Sequence, residues 1–73
     1  DFAPGIHSLG VACRDGIGVE ADDKEAVRLF RKAAGKGFTG GMVSLGEMLQ
    51  DGRGEEKDEE EAAKWFRKAA SLG

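Results

Sequence analysis

The chain has one cysteine, one proline, one histidine, one tryptophan and no tyrosine among its 73 residues. A lone thiol, Cys13, has no intrachain partner, so a disulfide framework is excluded and the redox compartment stays open. One His and one Cys make no ligand cluster for a structural zinc, and neither a metal nor another cofactor is expected. No apolar run approaches the roughly 20 residues that a membrane helix needs, so no membrane partner is expected either. Basic charge is also in short supply: 11 Lys and Arg against 14 Asp and Glu leave a net charge of −3. Phosphate binding depends on clustered Lys and Arg that displace counterions, which argues against a nucleic-acid partner. A single proline suits a helical chain. Glycine is the one residue in excess, twelve copies without the every-third-residue period of collagen. These glycines read as punctuation between short elements.

The glycines fall into register when the chain is laid on itself. Residues 5–37 cover residues 41–73 without a gap at an offset of 36, anchored on Leu9 and Leu45. About half of the aligned pairs are identical, among them Gly10/Gly46, Asp15/Asp51, Gly16/Gly52, Gly18/Gly54, Asp22/Asp58 and Glu25/Glu61. The run Phe30-Arg31-Lys32-Ala33-Ala34 returns as Phe66-Arg67-Lys68-Ala69-Ala70. A period between about 20 and 50 residues marks a solenoid or array of supersecondary units. The sequence divides into a first unit at residues 1–37 and a second at 38–73.

Within each unit the apolar spacing is helical. Ala26, Leu29, Phe30, Ala33 and Ala34 follow i, i+3, i+4, i+7, i+8, and Ala62, Trp65, Phe66, Ala69 and Ala70 repeat that stripe. Asp22 with Glu25, and Asp58 with Glu61, have the spacing of a capping box at the start of these helices. Gly37 and Gly73 are placed as their left-handed stops. The preceding helices are shorter, with apolar faces of Ile6, Leu9, Gly10 and Cys13 in one copy and Met42, Leu45, Gly46 and Leu49 in the other. Gly10 and Gly46 on a packed face predict close approach of a neighbouring backbone. Helices are expected near residues 4–14, 23–36, 40–50 and 59–72. The fold is all-α, two helix-loop-helix repeats packed as antiparallel hairpins.

This pattern resembles the SEL-one-like repeat family, relatives of the tetratricopeptide repeat. The residues that carry the resemblance are Leu9-Gly10 and Leu45-Gly46, the loop glycines Gly16, Gly18, Gly52 and Gly54, and Asp22 and Asp58. Trp65-Phe66, Lys32-Ala33-Ala34 and Lys68-Ala69-Ala70 complete it. It covers nearly the whole chain and implies an α/α solenoid resembling a tetratricopeptide superhelix. Gly5 and Gly41 stand where the family has Ala, which is expected to weaken both first helices. Cys13 and Leu49 replace a Tyr, and Leu29 a Trp. Glu55 replaces a loop Val retained as Val19, which predicts a looser second loop.

Chemistry-bearing residues find little to work with. Asp15-Gly-x-Gly and Asp51-Gly-x-Gly lie between two helices rather than after a strand, and they lack oxygen ligands at the alternate positions a calcium loop uses. They read as turns. The acidic run from Glu55 to Glu61 is mostly the first turn of the last helix, where the helix dipole favours negative charge. His7 has no Ser, Cys or carboxylate partner in this reading, so it is assigned no general-base role, and Cys13 reads as a buried inert thiol. No catalytic residue is assigned. Cysteine-rich members of the resembled family have been ascribed beta-lactam binding or hydrolysis, but their units are stapled by paired cysteines that this chain lacks, which disfavours an enzyme.

A surface remains. In related solenoids the first helices line a concave face that binds peptide segments. The positions there not spent on the core are His7, Val11 and Arg14, aligned with Val43, Glu47 and Gln50. The resemblance implies a protein-interaction module that presents these residues to a protein or peptide segment, with a structural spacer as the alternative. Trp65 and Leu72 are expected to leave apolar surface on the last helix, open to self-association or to continuation into further repeats.

Overall fold

A computed structural model describes residues 2–72. Four helices make up the chain: α1 (Ala3–Asp15), α2 (Asp23–Gly35), α3 (Thr39–Asp51) and α4 (Glu59–Leu72). Their ends lie within a residue of those expected. Pro4 sits in the first turn of α1, where its missing N–H takes no hydrogen bond from the helix. Both α1 and α3 stop on a glycine in the left-handed region, Gly16 at φ 71° and Gly52 at φ 69°. Their N–H groups close back onto the carbonyls of Ala12 and Met48.

The second helices are capped as their sequences predict, but by half of the box. Asp22 Oδ1 accepts from the Glu25 N–H at 3.2 Å, and Asp58 Oδ1 from the Glu61 N–H at 2.9 Å. The two glutamates do not reach back. Glu25 pairs with Arg28 at 2.6 Å, and Glu61 is drawn across to Arg31 at 2.9 Å. Gly37, at φ 86°, follows the end of α2, while Gly73 lies outside the described residues.

Helix α1 packs on α2 and α3 on α4 as hairpins, and α2 packs on α3 to join the units. In this order α2 and α3 are inner helices covered on two sides, and α1 and α4 are outer helices covered on one. That difference decides which stripe residues are buried. Ala26, Leu29, Phe30, Ala33 and Ala34 of α2 are all buried, as are Met42, Leu45, Gly46 and Leu49 of α3. Val27 and Met48, one position off the expected stripes, are buried as well because the inner helices have neighbours on two faces. On the outer helices the expectation fails in part. Leu9 is 50% exposed where its equivalent Leu45 is fully covered, because no described helix lies beyond α1. Phe66 is only half-buried and Ala70 exposed, while half-buried Trp65 and exposed Leu72 leave the apolar surface expected on the last helix.

The spacing of glycine and phenylalanine, the same in both units, has a direct cause. A Cβ on Gly10 would lie 2.7 Å from Phe30 Cε1, and one on Gly46 2.6 Å from Phe66 Cε1. What the missing side chain admits is therefore an aromatic ring of the partner helix, not its backbone. Gly41 is the site of backbone approach. A Cβ there would meet the Ala33 Cβ at 2.8 Å and the Ala34 nitrogen at 2.9 Å. So Gly41 is a packing requirement at the junction of the two units, while its equivalent Gly5 has open space around it.

The second loop is pinned, contrary to the expectation drawn from Glu55. Arg53 donates to both carboxylate oxygens of Asp23, at 2.8 and 3.2 Å. Arg31 reaches Glu55 at 2.8 Å and Glu61 at 2.9 Å, tying loop and α4 to α2. Gly54 rests against the Asp23 carbonyl and Val27. Ion pairs thus replace the apolar anchor. In the first unit no described second helix of a neighbouring unit lies against the loop, and Ile17 and Val19 are exposed.

Candidate functional site

The first helices α1 and α3 lie side by side across a shallow groove, and its chemistry begins with a bond between them. His7 Nε2 and Ser44 Oγ share a hydrogen bond of 3.0 Å. The imidazole sits between the rings of Phe30 and Phe38, with centroids 5.5 and 5.3 Å away. Sequence reasoning gave His7 no Ser partner, because residues 37 apart meet only once the second unit has folded onto the first. The pair has the spacing of a base and a nucleophile without the surroundings of one. Ser44 is buried in mid-helix, where the backbone N–H groups are spent on the helical ladder and offer nothing to a developing oxyanion. No further side chain bonds the His7 ring among the described residues. The bond is a strut from α1 to α3.

Burial, helped by the positive charge of Arg14, holds the His7 pKa below its ordinary 6.5. The unfolded chain therefore takes up a proton before the folded one does. Stability is fully present above about pH 6.5 and declines as the pH falls from there toward the folded pKa. The carboxylates of Asp15, Glu25 and Glu61 are all lowered from their ordinary values, chiefly by hydrogen bonds from Arg14, Arg28 and Arg31 respectively, so they act at lower pH. Melting temperature followed from about pH 7.5 to 5 is expected to fall for the parent and to stay flat across that window for His7→Gln. Equal slopes for the two proteins would remove His7 as the cause.

Arg14 lies beneath this strut, with its guanidinium 5.8 Å from the Phe30 ring centroid. It donates from Nε and Nη2 to the two oxygens of Asp15 at 3.0 and 3.2 Å. That bond raises the Arg14 pKa and lowers that of Asp15, so both remain charged. Between the C-terminal ends of α1 and α3 is a cleft of about 490 Å³ lined by Arg14, Asp15, Glu47, Met48, Gln50, Asp51 and Arg53. Three of the six expected groove residues, Arg14, Glu47 and Gln50, meet there. Val43, next to Ser44 in sequence, is 38% exposed. Val11 is different from what its spacing suggested: it is half-buried and packed against the core, and it does not line the cleft. Asp15, Asp51 and Arg53 were read as turn residues, yet the helix ends bring them into the cleft wall. Their signal was position, since a residue at the C-terminus of a concave helix borders whatever the helix faces.

A second cleft, of about 470 Å³, lies on α4 and is lined by Asp58, Glu60, Glu61, Lys64, Trp65 and Lys68. Trp65 Nε1 donates to Glu61 at 3.1 Å and the Lys68 ammonium stands 5.7 Å from the indole ring. The ring is thus held from two sides. Cys13 is buried, as its place on the apolar face implies.

Two stacked helical hairpins related by a 36-residue repeat, with first helices on one face, define an α/α solenoid of repeated units. The Sel1 repeat family matches residues 3–38 and again 40–73, and the chain belongs to that family. Among solved structures it is similar to a Sel1 repeat protein from Oxalobacter formigenes, at 34% identity and TM-score 0.94 over 96% of this chain and 29% of that one. It is also similar to c5321, a protective antigen of uropathogenic Escherichia coli strains that displays an SLR fold. There the identity is 36% and the TM-score 0.96, over 99% of this chain and 15% of the other. Helicobacter pylori cysteine rich protein B matches at 34% identity and TM-score 0.92, over 97% of this chain and 53% of its own. The chain spans about half or less of the length of each. Among curated proteins none matches at a significant level.

Proposed function

We propose that this pair of Sel1 repeats is a protein-interaction module in which α1 and α3 receive an extended segment of a partner protein. Repeat solenoids of this family commonly bind proteins, and the observation that favours the first-helix face is the 490 Å³ cleft between Arg14 and Glu47. Each unit, residues 1–37 and 38–73, supplies one wall. The cleft offers an amide at Gln50 and charges of both signs at Arg14, Glu47, Asp51 and Arg53, and Val43, one turn before Glu47 on α3, adds an exposed apolar contact beside it. Such a lining suits a peptide carrying one apolar anchor flanked by mixed charge. The His7–Ser44 strut sets the groove width, and no bond is made or broken by the chain.

The test is peptide display on the immobilised chain. Enriched peptides are expected to lose at least about tenfold in affinity, near 1.4 kcal/mol, for Val43→Glu combined with Glu47→Lys. Lys24→Glu on α2 should leave them unchanged, and both variants should melt with the parent. Peptides indifferent to the groove variant, or no enrichment at all, would favour the spacer reading.

A further inference from the structure

A net charge of −3 is an average, and the surface of α2 departs from it. Burying Ala26, Val27, Leu29, Phe30, Ala33 and Ala34 leaves Lys24, Arg28 and Lys32, spaced four apart, exposed on one face of the helix. With Arg31 they line a cleft of about 490 Å³ whose other wall is Gly54 and Glu55 of the second loop. Four cations meet one carboxylate there. Arg28 is paired with Glu25, and Arg31 with Glu55 and Glu61. Lys24 and Lys32, at the two ends of the row, have no ion-pair partner among the described residues.

The row runs against what the helix itself favours. Like charges four apart repel, and Lys24 stands in the first turn, where the helix dipole favours acid. The equivalent of Lys24 in the second unit is Glu60, which suits the dipole. There Lys64, Arg67 and Lys68 follow at the same spacing, yet the cleft on α4 is lined by Asp58, Glu60 and Glu61 beside Lys64 and Lys68, so its acids outnumber its cations. A local conflict present in one copy of a repeat and absent from the other points to a surface shaped by something besides stability.

We propose that the cationic row of α2 is a second docking surface, which takes a carboxylate-rich segment of a partner protein with Asp or Glu at alternate positions. The spacing fits such a segment. Four residues of helix carry Lys24 to Arg28, and Arg28 to Lys32, by about 6 Å each. Alternate side chains of an extended chain share one face at about 6.7 Å. Three acids therefore lie along the row, the outer two on the unpaired lysines and the middle one at Arg28. None of the side chains lining the cleft is aromatic, so a nucleobase has nothing to stack on, which favours carboxylates over a nucleic acid. The cleft shares no residue with the one between α1 and α3, and neither reading depends on the other.

The experiment is fluorescence anisotropy of a labelled peptide in which three Glu alternate with Ser, titrated with the 73-residue chain at low salt. Saturable, salt-sensitive binding is expected, weakened at least about tenfold by Lys24→Glu with Lys32→Gln. Lys64→Glu with Lys68→Gln changes the net charge by the same amount on α4 and should leave the affinity within about twofold. Melting temperatures establish that both double variants are folded. An acidic peptide enriched in the display experiment is assigned by the same logic: it loses affinity with Lys24→Glu and keeps it with the groove variant, the reverse of a groove binder. Absence of saturable binding, equal losses from the two double variants, or tighter binding of an oligothymidine of equal charge would each overturn the proposal.

Discussion

Phe30→Ala is expected to destabilise the chain by about 3–5 kcal/mol, the range for deleting a fully buried aromatic ring. Phe66→Ala should cost distinctly less, although the two residues hold the same place in the repeat. Phe30 is completely covered, lying under Gly10 of α1, against the Arg14 guanidinium and beside His7. Phe66 has Gly46 beneath it but is only half-buried, because nothing described packs beyond α4. A chain of this size has only a few kcal/mol of stability in total, so Phe30→Ala should be largely unfolded in buffer. Urea titration followed by circular dichroism measures both. Equal losses would show that the inner position of α2 adds nothing to the burial of its ring.

The second large effect is a change of sign between equivalent glycines. Gly5→Ala should stabilise the chain by up to about 1 kcal/mol, the ordinary gain from replacing glycine within a helix, because nothing stands within 4 Å of the new methyl group. Gly41→Ala should destabilise by about 1–3 kcal/mol or more, as overpacking does. Its methyl group would meet the Ala33 Cβ and backbone atoms of Ala33 and Ala34, and a helix backbone cannot swing aside as a side chain end can. Relief requires α2 and α3 to separate, which opens the junction between the units. Chemical denaturation of the two single variants checks the pair, and a stabilised Gly41→Ala would contradict the close approach of those helices.

These two cases mark how far the sequence could be read. The 36-residue register was legible because identical residues recur at one fixed offset, and the Asp caps and the stripes of α2 and α3 because each depends on residues within a turn or two of one another. The repeat also misled, because it makes equivalent residues look interchangeable. Leu9 and Leu45, or Leu29 and Trp65, share a letter position but not a neighbourhood, since burial depends on which helix lies beyond. Val27 and Met48 were missed for the same reason, as an inner helix buries more than one stripe. Of the residues expected on the first-helix face, Arg14, Glu47 and Gln50 meet in one cleft, and they were legible from the faces left over by the core. The bond to Ser44 was not, and Val11 was misjudged, because both depend on how closely α1 and α3 sit. Glu55 looked like a lost anchor until Arg31, 24 residues away, was seen to hold it.

The ring seated on a glycine in each hairpin makes two residues twenty positions apart into a single heritable choice. Gly10 with Phe30, and Gly46 with Phe66, let the ring of one helix occupy the space a side chain of the other would fill. A methyl group on the glycine is tolerable only if the ring opposite shrinks at the same time, and a smaller side chain opposite leaves a hole unless the glycine grows. When such a unit is duplicated, the matched pair is copied whole and each copy is then free to drift everywhere else. This chain shows the result: helices that have exchanged Ile for Arg and Val for Glu in their loops still seat the same ring on the same glycine.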